Sequence, residues 1–255
     1  MTVLEVRALT KRFGGVAAVD GVGFHVGRGE VVAMIGPNGA GKSTCFNLIN
    51  GQLAPDRGDV LYEGASVVGL GPRRLFRMGI SRTFQIAAVF PTMTVVENVQ
   101  MALLSARGEI FRFLRGVPGR ERTPALALLD RVGLAELADE AARSLAYGDV
   151  KRLELAVALA NRPRLLLMDE PTAGMAPKER TDLVTLTRRI VDEEGASVLF
   201  TEHSMDVVFA FADRILVLAG GRLIADGAPE AVRADPAVQA QYLGAPVATG
   251  AEVVP

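Results

Sequence analysis

One cysteine, Cys45, in a chain of 255 residues rules out an internal disulfide framework. It sits just after a glycine-rich loop, where a packing role is the plain reading. An excess of charge of either sign is also missing: 28 basic and 29 acidic side chains leave a formal net charge of −1. No strong field therefore invites nucleic acid. No apolar run approaches the ~18 residues that a membrane span requires. The opening residues, Met1-Thr2-Val3-Leu4-Glu5-Val6-Arg7, alternate like a strand and hold no apolar signal-peptide region. A membrane, where one is involved, is visited through a partner. What the chain does have is 49% hydrophobic residues, enough to bury a large core as one domain or a domain with a sub-lobe.

The most informative segment follows the apolar strand-like run Val31–Ile35. It reads Gly36-Pro37-Asn38-Gly39-Ala40-Gly41-Lys42-Ser43 and has the spacing G-x-x-x-x-G-K-[ST]. A loop of this kind points successive backbone N–H groups and a helix N-terminus at a polyphosphate. Glycines are needed where the chain turns sharply and phosphates lie against bare backbone. Lys42 is placed to reach the β- and γ-phosphates, and the Ser43 hydroxyl to hold Mg²⁺. Thr44 opens a helix expected over residues 44–50, stopped by Gly51. The pattern predicts a nucleoside-triphosphate site.

Around that loop the first sixty residues read mostly as strands, at 4–9 and 22–26. Residues 95–160 turn helical. Thr94-Val95-Val96-Glu97 has capping-box spacing and opens a helix to about Ser105. Residues 107–123 are basic and glycine-punctuated, readable as a membrane-surface or partner patch or as a half-buried helix or loop. Residues 124–132 resume an amphipathic helix. After Arg164, buried strands at 165–168, 197–201 and 215–218 alternate with helices, the rhythm of a parallel sheet with right-handed crossovers. Ala219-Gly220-Gly221-Arg222 reads as a hairpin turn, and residues 245–255 as a frayed, flexible tail.

A second chemical element lies at the end of the apolar run 165–168, where Asp169 and Glu170 stand side by side. In an open parallel sheet, ligands bind at the C-terminal edge of the strands. Asp169 there can hold Mg²⁺ and Glu170 can polarise an attacking water. The chemistry predicted is hydrolysis of a γ-phosphate.

Further strings appear in order: Ser81-Arg82-Thr83-Phe84-Gln85, Leu145-Ala146-Tyr147-Gly148-Asp149, Asp169-Glu170-Pro171-Thr172 and Thr201-Glu202-His203. With the phosphate loop, this series resembles the ATP-binding cassette transporter ATPases over residues 3–244. The resemblance implies an α/β fold, a P-loop NTPase-like mixed sheet core with an N-terminal antiparallel β region. It also implies a single cassette over residues 1–244, with a helical subdomain inserted at about 86–160. Gln85 would contact Mg²⁺ and water and report to a membrane subunit. Leu145, Ala146, Tyr147, Gly148 and Asp149 would form the signature that meets a partner's ATP. His203 would contact the γ-phosphate, and Phe13 would stack on adenine. The strings 79–85, 90–99, 13–19 and 241–244 look like those of branched-chain amino-acid importer ATPases.

The implied partners are integral membrane permeases, a second ATPase subunit, alike or different, and indirectly an extracytoplasmic binding protein. The implied place is the cytoplasmic face of the membrane, as a peripheral subunit. Related cassettes serve urea or amide uptake and lipopolysaccharide export. Two rival classes stay open beside this. A soluble cassette typically carries two cassettes or a long coiled-coil insertion; a GTP-binding switch needs an N-K-x-D element, which is absent.

Departures from the family pattern stand at four positions. Ala146 replaces the family's usual signature serine and Tyr147 its first glycine, while Asp149 replaces its glutamine. Ala176 stands where an aspartate or asparagine normally crosses the dimer. These predict a weakened composite site and suggest an asymmetric heterodimer.

Overall fold

In the computed structural model, which describes residues 1–83, 89–109 and 121–240, the amino-terminal strands β1 (Thr2–Phe13) and β2 (Val16–Gly27) pair antiparallel. Both outrun their expected ranges because the Gly14-Gly15 turn lets the ladder extend to the Phe13–Val16 pair. With β4 (Arg57–Tyr62) and β5 (Ala65–Ser66) they make a sheet ordered β2-β1-β4-β5.

The second sheet is ordered β10-β9-β3-β8-β7-β6 among the described residues. Its strands are β3 (Val31–Ile35), β6 (Ile80–Thr83), β7 (Leu165–Asp169), β8 (Ser197–Thr201), β9 (Arg214–Ala219) and β10 (Arg222–Gly227). All pair in parallel except the β9–β10 hairpin. Alternation at period two explains why this sheet lies between two layers. Val31, Ala33 and Ile35 of β3 enter one buried cluster, and Val32 and Met34 enter another. Leu166 and Met168 of β7 divide from Leu165 and Leu167 in the same way. Strands apolar on both faces are the signature of a sheet covered on both sides. Truncating one of them, Leu167→Ala for example, costs about 2–5 kcal/mol.

One layer is the antiparallel sheet with α1 (Lys42–Ile49). The other holds α3 (Val95–Ala106), α4 (Arg122–Arg131), α5 (Tyr147–Leu159), α6 (Pro177–Glu194) and α7 (Met205–Phe211). α2 (Pro72–Met78) precedes the edge strand β6, while α8 (Pro229–Ala234) and α9 (Pro236–Val238) follow β10. The expected capping box forms: Thr94 Oγ1 accepts from the Glu97 N–H at 3.2 Å, and Glu97 Oε2 accepts from the Thr94 N–H at 2.8 Å. Such a cap is worth about 1 kcal/mol. α4 starts two residues earlier than the sequence suggests, since proline is tolerated in a first helical turn. α1 likewise begins at Lys42, directly after its loop.

The parallel strands β3, β8 and β7 are neighbours, so their C-terminal ends share one edge. That edge carries the residues singled out from the sequence.

Candidate functional site

The loop after β3 is set by two close backbone approaches. A Cβ on Gly36 would stand 2.1 Å from the Leu218 carbonyl oxygen, and one on Gly41 would stand 2.3 Å from that of Ala18. Both positions have positive φ, 151° and 104°, so only glycine fits. The β9–β10 turn braces the loop from the side: Gly221 N–H donates to the Ala40 carbonyl at 3.1 Å. Ala40 is packed into the core, while Asn38 and Gly39 are exposed at the tip. α1 then starts with no side-chain cap, which leaves its N-terminal partial charge for an anion. Thr44 lies in that first turn, and Ser43 is exposed beside it.

Lys42 is buried, and its Nζ donates back to the Gly36 and Pro37 carbonyls at 2.7 and 3.1 Å. Burial lowers its pKa, opposed by the negative charges of Glu170 and Asp169. Phosphate loop and carboxylate pair therefore form one electrostatic site.

At the end of β7, separated from β3 by β8, Asp169 is 8% exposed and both its oxygens are held. Oδ1 accepts from the Thr201 hydroxyl at 2.7 Å and Oδ2 from Arg82 Nη2 at 2.9 Å. Glu170 follows with φ 48°, a left-handed backbone that a non-glycine residue adopts at a cost of about 1–2 kcal/mol. Its N–H donates to Thr201 Oγ1 at 3.1 Å. The bend separates the two carboxylates. Glu170 turns to His203, whose Nε2 lies 2.9 Å from Glu170 Oε1. An ionised carboxylate only accepts, so a hydrogen bond to it needs the imidazole proton on Nε2.

Two residues with no role assigned from the sequence organise this edge. Arg82 reaches Asp169, Asn47 Oδ1 at 2.7 Å and Gln52 Oε1 at 3.1 Å, so one guanidinium ties β6 and β7 to α1. Glu202 is 3% exposed and accepts from Thr172 N–H and Oγ1 at 2.9 and 2.6 Å and from His203 N–H at 3.0 Å. Glu202 directly follows the buried strand Ser197–Thr201, a weak signal in the sequence, whereas Arg82 lies within the polar run Ser81-Arg82-Thr83 and has none.

Phe13 ends β1 with its ring half exposed, 5.9 Å from Lys11 Nζ. Leu145 and Ala146 lead into α5, with Tyr147 its first residue and Gly148 and Asp149 in its first turn. Ala146 occupies the N-cap position with no side-chain acceptor. Gln85 and residues 241–255 lie outside the described residues. For Mg²⁺, the Ser43 hydroxyl and Asp169 carboxylate are hard oxygen donors. No cluster of three His, Cys, Asp or Glu gathers among the described residues. That set fits Mg²⁺, which takes one or two carboxylates and completes its shell with phosphates and water.

Strand, glycine loop, capless helix and an adjacent carboxylate pair define a P-loop nucleotide hydrolase. A profile of the ABC transporter family matches residues 19–173, and one of the branched-chain amino acid ATP-binding cassette transporters matches residues 222–248. The chain is 42% identical over 251 residues to the high-affinity branched-chain amino acid transport ATP-binding protein BraF of Pseudomonas aeruginosa. That alignment spans 95% of this chain and 98% of BraF. A solved nucleotide-free ATP-binding cassette from an ABC transporter matches with a TM-score of 0.86 at 33% identity, covering 96% of this chain and 100% of its own. A dimeric cassette bound to ADP and Pi matches with a TM-score of 0.76 at 28% identity, covering 89% and 98%. The chain belongs to the ATP-binding cassette transporter family, and it is an ATP-hydrolysing cassette. No helix of the described residues is long and apolar enough to cross a membrane.

Proposed function

We propose that this cassette energises uptake of branched-chain amino acids, as a peripheral subunit on the cytoplasmic face of a membrane transporter. The observation that carries the ATPase part is the His203–Glu170 pair on the sheet edge beside the phosphate loop. The substrate class rests on the likeness to BraF and on the 222–248 match.

In this reading Phe13 stacks on adenine, which any π-face can support. Residues 36–44 cradle the phosphates through backbone N–H groups, and Lys42 swings from its own loop carbonyls to the β- and γ-phosphates. Ser43, Asp169 and Gln85 hold Mg²⁺, which when bound neutralises phosphate charge. Glu170 takes the proton of the attacking water while His203 fixes its carboxylate and faces the γ-phosphate. Residues 145–149 of an opposing cassette complete the site. The two cassettes then act as a clamp: ATP binds the closed dimer better than the open one, and hydrolysis reverses that preference.

The permeases dock on a groove of about 340 Å³ lined by Phe76, Arg82, Phe90, Asn98, Met101 and Glu154, beside the segment that leads to Gln85. Ala146 and Ala176 lack the polar side chains usual in the family at their positions, which favours a second, different cassette as the partner.

Co-expression with candidate permeases, a second cassette and a binding protein tests the reading. Leucine-loaded binding protein should stimulate ATP hydrolysis in the reconstituted complex. Stimulation by urea or an amide and none by leucine, isoleucine or valine would overturn the substrate assignment.

A further inference from the structure

Tyr147 joins two parts of the cassette that the clamp uses separately. Its hydroxyl donates to the Ala173 carbonyl at 2.9 Å, and the Ala173 N–H donates to the Glu170 carbonyl at 3.1 Å. One residue therefore links the start of α5 to the backbone of Glu170. The ring is half exposed and has two neighbours. A Cβ on Gly174 would meet its Cε1, Oη and Cζ atoms at 3.6–3.7 Å, which is ordinary contact. Lys151 Nζ, one helical turn along, stands 5.6 Å from the ring centroid. That ammonium is itself fixed by Glu154 Oε2 at 3.0 Å, with both side chains at most 5% exposed.

The other end of the link is equally anchored. Thr172 is bound by the buried Glu202, and the Ala176 N–H donates to Glu179 Oε2 at 3.1 Å. Neither end is a loose loop. A glycine at position 147 would have no hydroxyl and no ring, so the hydrogen bond between residues 145–149 and 170–176 would be lost and the Met175 side chain beside Gly148 would remain.

We propose that Tyr147 is a positioning residue, a latch that makes the Glu170 turn and the signature segment move as one body. The proposal rests on the reading that residues 145–149 serve the partner's nucleotide. Under it, Glu170 acts on one ATP of a dimer while Tyr147, on the same rigid unit, borders the other. Each site thereby feels the state of its neighbour. The latch also orders both segments before the partner arrives, so less ordering is left to oppose association.

The test is Tyr147→Phe, which keeps the ring and deletes the hydroxyl, compared with Tyr147 in a hydrolysis-blocked Glu170→Gln background. Dimerisation in Mg-ATP is followed by analytical ultracentrifugation, and Mg-ADP binding to the monomer by calorimetry. The latch predicts a dimer dissociation constant raised about three- to tenfold, the cost of ordering one side chain or short segment on association. It predicts unchanged monomer affinity for Mg-ADP, which a general loss of structure would lower. Equal dimer constants would overturn the latch and leave the clamp standing. Absence of any ATP-dependent dimer with Tyr147 in place, both alone and with a second cassette supplied, would overturn the clamp, and the latch with it.

Discussion

His203 Nε2 lies 2.9 Å from Glu170 Oε1, although the two residues leave the sheet from different strands. The pairing exists because Glu170 turns through a left-handed backbone while Glu202 pins the backbone of His203. Removing the imidazole takes this contact from the Glu170 carboxylate without touching the phosphate loop. His203→Ala should reduce turnover about a hundredfold or more, the range of a positioned acid–base group. Nucleotide affinity should hold in the same preparation. A variant with near-normal turnover at saturating Mg-ATP would remove His203 from the mechanism.

Arg82 is a stability prediction. Its side chain and that of Asp169 are 6% and 11% exposed, and the guanidinium also holds Asn47 and Gln52. Arg82→Met leaves a nearly buried carboxylate without its countercharge, which costs about 3–5 kcal/mol. Urea unfolding should show a lower midpoint with an unchanged slope. A loss below about 1 kcal/mol, the range of an exposed pair, would mean that water replaces the arginine.

The parts legible in the sequence were those written as contiguous strings. Val31–Ile35 and Ser197–Thr201 form strands with the bounds read from their apolar runs, and the phosphate loop sits between β3 and α1 as its spacing required. The cassette family and the mixed-sheet fold follow from those strings and hold. Arg82 and Glu202 were not legible, because their partners lie 87 and 30 residues away and only the strand order brings them together. The same holds for Gly221, which reads as a hairpin residue yet also braces the phosphate loop.

Ala146 caps α5 without an acceptor, so Ala146→Ser should act twice. A serine N-cap adds about 0.5–2 kcal/mol of stability, seen as a raised unfolding midpoint. A hydroxyl facing the partner's γ-phosphate adds a charge-assisted hydrogen bond of about 1.5–3 kcal/mol, or about ten- to a hundredfold in the basal rate of the isolated protein. The wild type should be a poor ATPase and mostly monomeric with ATP. A raised midpoint with unchanged turnover would assign the serine a structural effect alone. A strong basal rate from a wild-type homodimer would end the case for asymmetry.

Cys45 provides a probe of unfolding. It is fully buried, and burial pushes its thiol up to about 12. A raised folded pKa contributes stability that is complete below the thiol's ordinary value of 9.0 and is lost as pH climbs toward 12. At pH 8 the thiol should resist a disulfide reagent until denaturant is added. Rapid labelling of the native protein would show that α1 opens locally.

The central claim is that Glu170 activates the water while the rest of the edge holds the nucleotide. Glu170→Gln keeps the shape and the His203 contact but removes the base. The decisive measurement is single-turnover hydrolysis of bound Mg-ATP by this variant, with nucleotide retention followed alongside. The account predicts unchanged ATP binding, no turnover and accumulation of an ATP-bound dimer. Hydrolysis at the wild-type rate would contradict it.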